Sequence, residues 1–343
     1  MPTINVLVAH QGATDDEAQR IAAVDPSVRV TRALYVDPMV TDWILSLRKP
    51  EDHGLPLPTS DAFFAALSEA EVIFCVRLPD DILQLAPKLK WVQVYGAGVD
   101  YLQKTGILER GILLSNSSGV NAPPIAEFVL GYMIMHVKHM AERVEAQRRG
   151  EWRRMMNDSL EGKTLGIVGP GHIGGETARR AAPFGMRIIA ARRSYTPGEK
   201  LPNIERVYPM GQLREMLTRC DYVLVSVSLS KESQRLIGQG EFAAMKRGAY
   251  FMNVARGGVV DQQALISALQ SGHLGGAALD VFDPEPLESD SPLWRMPNVF
   301  VTPHNSGGYI RHEERSSAFF CENLRRYIRG EALLNRVDPK AGY

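Results

Sequence analysis

The chain has 343 residues, which at about 150 residues per domain suggests two domains, and its 45% hydrophobic and 23% charged residues are typical of a globular protein. Thirty-nine basic residues balance thirty-nine acidic ones, so neither a general nucleic-acid binder nor a polybasic membrane-surface protein is expected. Cys75, Cys220 and Cys321 lie too far apart for a CxxC pair or a disulfide framework, which suits a reducing cytoplasm.

The first twenty residues carry no basic stretch followed by an apolar run, so no export signal is expected. Strand-like apolar runs then appear at 3–9, 28–33, 71–77, 89–95 and 111–115. The segment 36–60 is a longer polar and mixed stretch, read as a surface elaboration or part of a substrate lid. A long helical pattern covers about 123–149, opened by Pro123-Pro124 and followed by Gly150 and a polar hinge. Its most apolar part, 128–137, is too short to cross a bilayer, so no membrane partner is expected. A second strand series follows at 163–168, 186–191, 221–227, 249–254, 276–282 and 298–302, and a last helix at about 309–330 stops at Gly330. Strand–helix alternation of this kind predicts α/β architecture with parallel sheets.

Residues 163–185 read KTLGIVGPGHIGGETARRAAPFG, a buried strand entering Gly169-Pro170-Gly171-His172-Ile173-Gly174 and then a helix. This is GxGxxG in the context that gives it meaning. Gly169 permits the turn, Gly171 lets a diphosphate approach the backbone, and Gly174 lets the helix pack on the strand. The helix N-terminus offers N–H groups and partial positive charge to the phosphates. The next strand, MRIIAARRS, ends in Arg192-Arg193-Ser194, eighteen residues beyond Gly174, where an NAD site usually carries an acid. No acidic residue lies between Arg187 and Gly198. An arginine fork suits a 2′-phosphate, so NADP(H) is expected over NAD(H).

Three polar residues follow later strands: Arg256 in FMNVARGGVVD, Glu285 in LDVFDPEPL and His304 in VTPHNSGG. Strand C-terminal ends face the ligand crevice in open α/β sheets. Reduction of a 2-oxo acid needs a cation on the carboxylate and carbonyl, a proton donor, and a carboxylate that orients that donor. Arg256, His304 and Glu285 can supply these roles. Arg77 ends a strand and is a candidate substrate contact or a surface ion-pair former. His136 and His139 give an HxxH spacing without an acidic third ligand, so no metal site is expected and a solvated or interface face is the preferred reading. Cys75, in an apolar strand, reads as core.

The whole order of motifs resembles the D-isomer-specific 2-hydroxyacid dehydrogenase family. It is carried by LKWVQVYGAGVDYL at 89–102, GILLSNSSGVNAPPIAEFVLGYM at 111–133, GEW at 150–152 and the glycine turn. LIGQGEFAAMKRGAYFMNVARGGVVDQQAL at 236–265, LDVFDPEPL at 279–287, PNVFVTPHNSGG at 297–308 and ENLRRYIRGEAL at 322–333 continue it. The resemblance implies two doubly wound parallel-sheet domains, a Rossmann cofactor domain at 118–303 inserted in a flavodoxin-like substrate domain formed by 1–117 and 304–343. It implies that Arg256, Glu285 and His304 are catalytic and that Gly96-Ala97-Gly98 meets the substrate carboxylate. Asp280 matches the residue on the nicotinamide carboxamide, and Val227, Val254, Ala255 and Gly307 fall along the cofactor. The family is usually dimeric through the 123–149 arm. Glyoxylate and hydroxypyruvate are the leading substrates. Other members act on phosphoglycerate, phosphite or formate, or bind NAD(H) as corepressors, and formate dehydrogenases usually carry Gln where Glu285 stands. Ser226, Ser228, Asn305 and Ser306 depart from the family's usual residues.

Overall fold

The computed structural model describes residues 2–10, 13–35, 60–308 and 312–338; the long stretch singled out at 36–60 lies, except for Ser60, outside the described residues. Two compact units divide the chain, Met1–Val120 with Ile310–Tyr343, and Asn121–Tyr309. Both boundaries fall a few residues beyond 117 and 303, so His304 belongs to the inserted unit and not to the outer one.

In the outer unit, β1 (Ile4–Ala9), β2 (Val28–Arg32), β3 (Val72–Cys75), β4 (Trp91–Val94) and β5 (Leu113–Asn116) form one parallel sheet in the order β2-β1-β3-β4-β5. That is the flavodoxin-like order. The central runs are apolar without alternation because both faces are covered. Leu7, Ile73, Cys75 and Val92 pack on one side, and Val6, Val8, Phe74 and Trp91 on the other. The C-terminal helix, His312–Ile328, closes the second face. Its Phe320 ring stacks on Phe74 at 4.5 Å and on Trp91 at 5.2 Å. Asn323 donates to Gln93 Oε1 at 2.9 Å, and Gln93 Oε1 also accepts from Ser115, which accepts from Trp91 Nε1. Asn323, Gln93, Ser115 and Trp91 thus satisfy one another across this face.

The inserted unit holds β6 (Thr164–Val168), β7 (Arg187–Arg192), β8 (Arg206–Pro209), β9 (Tyr222–Val225), β10 (Tyr250–Asn253), β11 (Gly276–Leu279) and β12 (Val299–Val301). Their order is β12-β11-β10-β9-β6-β7-β8, all pairs parallel. The chain winds outward from β6 to β8 and then returns to β9 on the other side of β6. This makes a Rossmann sheet with its switch point between β6 and β9, and ligands of such sheets bind at that point, beyond the strand C-termini. Two differences from the sequence reading stand out. β8 was not expected, and the 123–149 helix is two helices, Ala122–Val137 and Met140–Arg148, broken where His139 takes a left-handed φ of 51°.

Candidate active site

The glycine turn follows β6 at the switch point. Gly169 has φ +93°, and a Cβ there would sit 2.5 Å from Val227 Cγ1. A Cβ on Gly174 would lie 2.6 Å from the Gly169 carbonyl and 2.7 Å from Ile167, so the helix His172–Ala181 packs on its strand only because this residue has no side chain. Gly171 behaves differently. A Cβ there would meet nothing within 4 Å. Its backbone faces open space at the mouth of a ten-residue helix whose first N–H groups come from His172 and Ile173. This cradle fits a dinucleotide diphosphate. Ser226 Oγ donates to the Gly169 carbonyl at 2.8 Å, which gives the departure at that position a local role in fixing the turn. The Ser228 carbonyl accepts from Ser233 Oγ at 2.7 Å. Val254 and Ala255 continue from β10 and are buried, Ala255 N donating to Asn253 Oδ1 at 3.0 Å.

The three expected catalytic residues all lie beyond strands of this same sheet edge. Arg256 follows β10, Glu285 follows β11 and His304 follows β12. His304 Nδ1 sits 2.8 Å from Glu285 Oε2, and Glu285 Oε1 accepts the Phe282 amide at 3.0 Å. Both side chains are partly exposed, so His304 is reachable from solvent while its Nδ1 is held. Burial alone would raise the Glu285 carboxyl. The hydrogen bond and charge of His304, the Phe282 amide and the nearby Arg256 outweigh it and hold the group below the usual carboxylate range. Glu285 is therefore an anion at neutral pH, suited to orient an imidazole. Asn253 positions the Arg256 segment from both sides: its Oδ1 accepts Ala255 N, and its Nδ2 donates to the Arg256 carbonyl at 3.2 Å. Arg256 Nη1 donates to the Ala255 carbonyl at 2.8 Å. Gly257 is what lets the Arg256 and Glu285 segments meet, because a Cβ there would overlap the Phe282 carbonyl. Gly257→Ala is expected to destabilise the unit by about 1–3 kcal/mol, the usual range for overpacking. An unchanged urea midpoint would show that the Phe282 backbone yields freely.

A family model described as the NAD binding domain of D-isomer specific 2-hydroxyacid dehydrogenases matches residues 130–306. The chain belongs to this family. It is 37% identical over 268 residues to glyoxylate/hydroxypyruvate reductase B of Klebsiella pneumoniae subsp. pneumoniae, covering 76% of this chain and 81% of that one. It is 30% identical over 315 residues to D-3-phosphoglycerate dehydrogenase of Methanocaldococcus jannaschii, where it matches 90% of its own length but spans only 60% of that relative. Among solved structures, a D-isomer specific 2-hydroxyacid dehydrogenase from Xanthobacter autotrophicus Py2, in complex with NADPH and MES, matches with a TM-score of 0.79. It is 30% identical, with full coverage of both chains.

Within this dehydrogenase several expected residues sit differently from their sequence reading. Asp280, expected on a nicotinamide carboxamide, is buried, and both its oxygens are taken by the His304 loop. Oδ1 accepts from Thr302 Oγ1 at 2.7 Å and Asn305 N at 3.0 Å, and Oδ2 from Ser306 N at 3.1 Å and from the Ser306 hydroxyl. Tyr132 Oη lies 2.9 Å behind Thr302 Oγ1. His304 N donates to the Asp280 carbonyl at 2.8 Å, and His304 itself has φ 50°. Asp280 thus wraps the loop around one buried carboxylate and fixes the backbone from which the imidazole projects. Ser306 is explained as a donor to it. Gly307 lies against Asn121, whose Nδ2 would be 3.2 Å from a Cβ there.

Arg192 ends β7 as expected, but its Nη1 is 2.6 Å from Glu199 Oε1, an acid that the sequence reading had not brought to this place. Arg193 and Ser194 are exposed beside it. In the outer unit, Gly96-Ala97-Gly98 follows β4, with the Gly96 carbonyl accepting from Ser117 N and the Ala97 carbonyl from Asn116 Nδ2. Arg77 lies over the Tyr101 ring at 4.9 Å, a cation–π contact. The HxxH histidines do not share a site. His136 stacks on Tyr250 at 4.2 Å and meets Tyr222 Oη at 3.1 Å, so it is half-buried against aromatic rings. Among the described residues no group of three His, Cys, Asp or Glu side chains could hold a metal ion. No helix among them is long and apolar enough to cross a membrane.

Proposed function

We propose that the chain reduces a small 2-oxo acid, of the size of glyoxylate or hydroxypyruvate, to its D-2-hydroxy acid with NADPH as the hydride donor. The observation that carries this reading is the His304–Glu285 pair at 2.8 Å, beside Arg256, on the sheet edge that also bears the glycine turn. Arg256 binds the substrate carboxylate and polarises the carbonyl. His304, its Nδ1 held by Glu285, gives a proton from Nε2 to the oxygen as the carbonyl is reduced, and takes one back in the reverse direction. The backbone of Gly169–Gly174 and the N–H groups of His172 and Ile173 hold the cofactor diphosphate, and Arg192 meets the 2′-phosphate. The bound cofactor supplies the hydride for the carbonyl carbon. The glyoxylate/hydroxypyruvate reductase and the NADPH-bound relative support the substrate size and the cofactor.

The assembly that goes with this reading is a homodimer. Trp152 and Met156, on the segment after the broken helix, are 93% and 90% exposed, and an exposed tryptophan and methionine this close together are typical of a protein interface. Three free, buried cysteines fit the cytoplasm.

Initial rates with glyoxylate, hydroxypyruvate, pyruvate and phenylpyruvate, each with NADPH and NADH, test the proposal. Fast NADPH-dependent reduction of a small oxo acid is the expected result. The phosphoglycerate dehydrogenase relative favours a second reading. Turnover of 3-phosphoglycerate with NAD⁺ but of none of the four oxo acids would replace the first reading with that one.

A further inference from the structure

Beyond the Arg192 assignment, and resting on it, the structure brings an acid to the same place. Thr196-Pro197-Gly198-Glu199 is a tight turn in which Glu199 N donates to the Thr196 carbonyl at 3.0 Å and Gly198 takes φ +78°. Proline second and a left-handed glycine third are the residues such a turn demands. The turn folds the chain back on β7 and sets the Glu199 carboxylate on the Arg192 guanidinium at 2.6 Å. Glu199 is only 20% exposed, and its second oxygen, Oε2, is buried with no hydrogen-bond partner among the described residues. A buried carboxylate oxygen without a donor is costly, so the Arg192 pair is what holds this carboxylate in place.

We infer that Glu199 is a cofactor-specificity residue, whose carboxylate on Arg192 opposes a 2′-phosphate and so weakens this chain's selection of NADPH over NADH. Two effects act in the same direction. The ion pair neutralises the cation that would attract the phosphate, and a phosphate drawn to Arg192 comes close to a second anion. A plain ribose meets neither penalty. The enzyme therefore accepts both cofactors with a narrower margin than Arg192 alone would give.

The test measures dissociation constants for NADPH and NADH, by cofactor-fluorescence titration, on the wild type, Glu199→Gln and Arg192→Ala. Glutamine keeps the shape of the side chain and removes its charge. The expected result is an approximately tenfold rise in the NADH-to-NADPH ratio of dissociation constants, the scale of one unit charge removed at a partly exposed site. A rise of about threefold or more supports the inference, and any smaller rise or a fall overturns it. A merely structural role for Glu199 would move both cofactors together and leave the ratio unchanged. Arg192→Ala tests the underlying reading separately. If it leaves the ratio at the wild-type value, Arg192 does not read the phosphate, whatever Glu199→Gln does.

Discussion

His304→Ala is expected to lower turnover by roughly 10²- to 10⁴-fold, the span that a positioned general acid–base contributes, and to leave NADPH binding almost unchanged. The separation of the two effects follows from how the residue is built in. The His304 backbone is fixed by its own amide on the Asp280 carbonyl and by the Asn305 and Ser306 amides on the Asp280 carboxylate. The imidazole takes no part in that scaffold, and its side chain is 44% exposed. Removing it leaves the loop folded and the glycine turn untouched, since that turn is held by β6, Val227 and Ser226. What is lost is the group that pairs with Glu285 Oε2 at 2.8 Å. The measurement is kcat with the best oxo acid, alongside a fluorescence titration of NADPH. Turnover within a few-fold of the wild type would remove His304 from the chemistry and leave only the cofactor-binding half of the proposal.

The fold was legible where burial repeats along the chain. Central strands such as VIFC and YVLV are covered on both faces, and that leaves an uninterrupted apolar signature. β8 escaped for the opposite reason. Arg206–Pro209 is four residues long, begins with a charge and ends with a proline, and it stands at the sheet edge, where one side has no strand to satisfy. The broken helix was hidden because composition around His139 is as helical as on either side, and a histidine, though enriched at left-handed φ, does not by itself mark a break.

The site was legible as identities and not as partners. The glycine spacing and the strand-end positions of Arg256, Glu285 and His304 are local patterns, and parallel topology converts them into one sheet edge. Long-range pairings leave no such pattern. Asp280 reads as a lone acid after a strand, yet its four donor groups come from more than twenty residues away. Glu199 lies just past the stretch after β7 in which an acid marks an NAD site. Its one signal was the Pro-Gly pair before it, which marks a reversal and so returns the next residue to the strand it left.

Arg256→Lys is expected to lower kcat/KM by about 10²- to 10³-fold, although it preserves charge. A lysine ammonium is a point charge on a flexible stem, whereas the guanidinium is a flat fork that can hold a carboxylate with two parallel hydrogen bonds. The local geometry here makes that difference matter. Arg256 already directs Nη1 to the Ala255 carbonyl, and its own carbonyl is pinned by Asn253, so the fork leaves the strand end in a fixed direction. Lysine cannot keep one donor on Ala255 and present two more in a plane. If Arg256 only gathers the substrate, the loss falls on KM. If it also polarises the carbonyl, kcat falls with it, because that interaction strengthens as negative charge develops on the oxygen. The proposed role requires both to move. A variant that matches the wild type within about threefold in kcat/KM would show that charge alone suffices, and that the directional fork beside Glu285 is not what selects a 2-oxo acid.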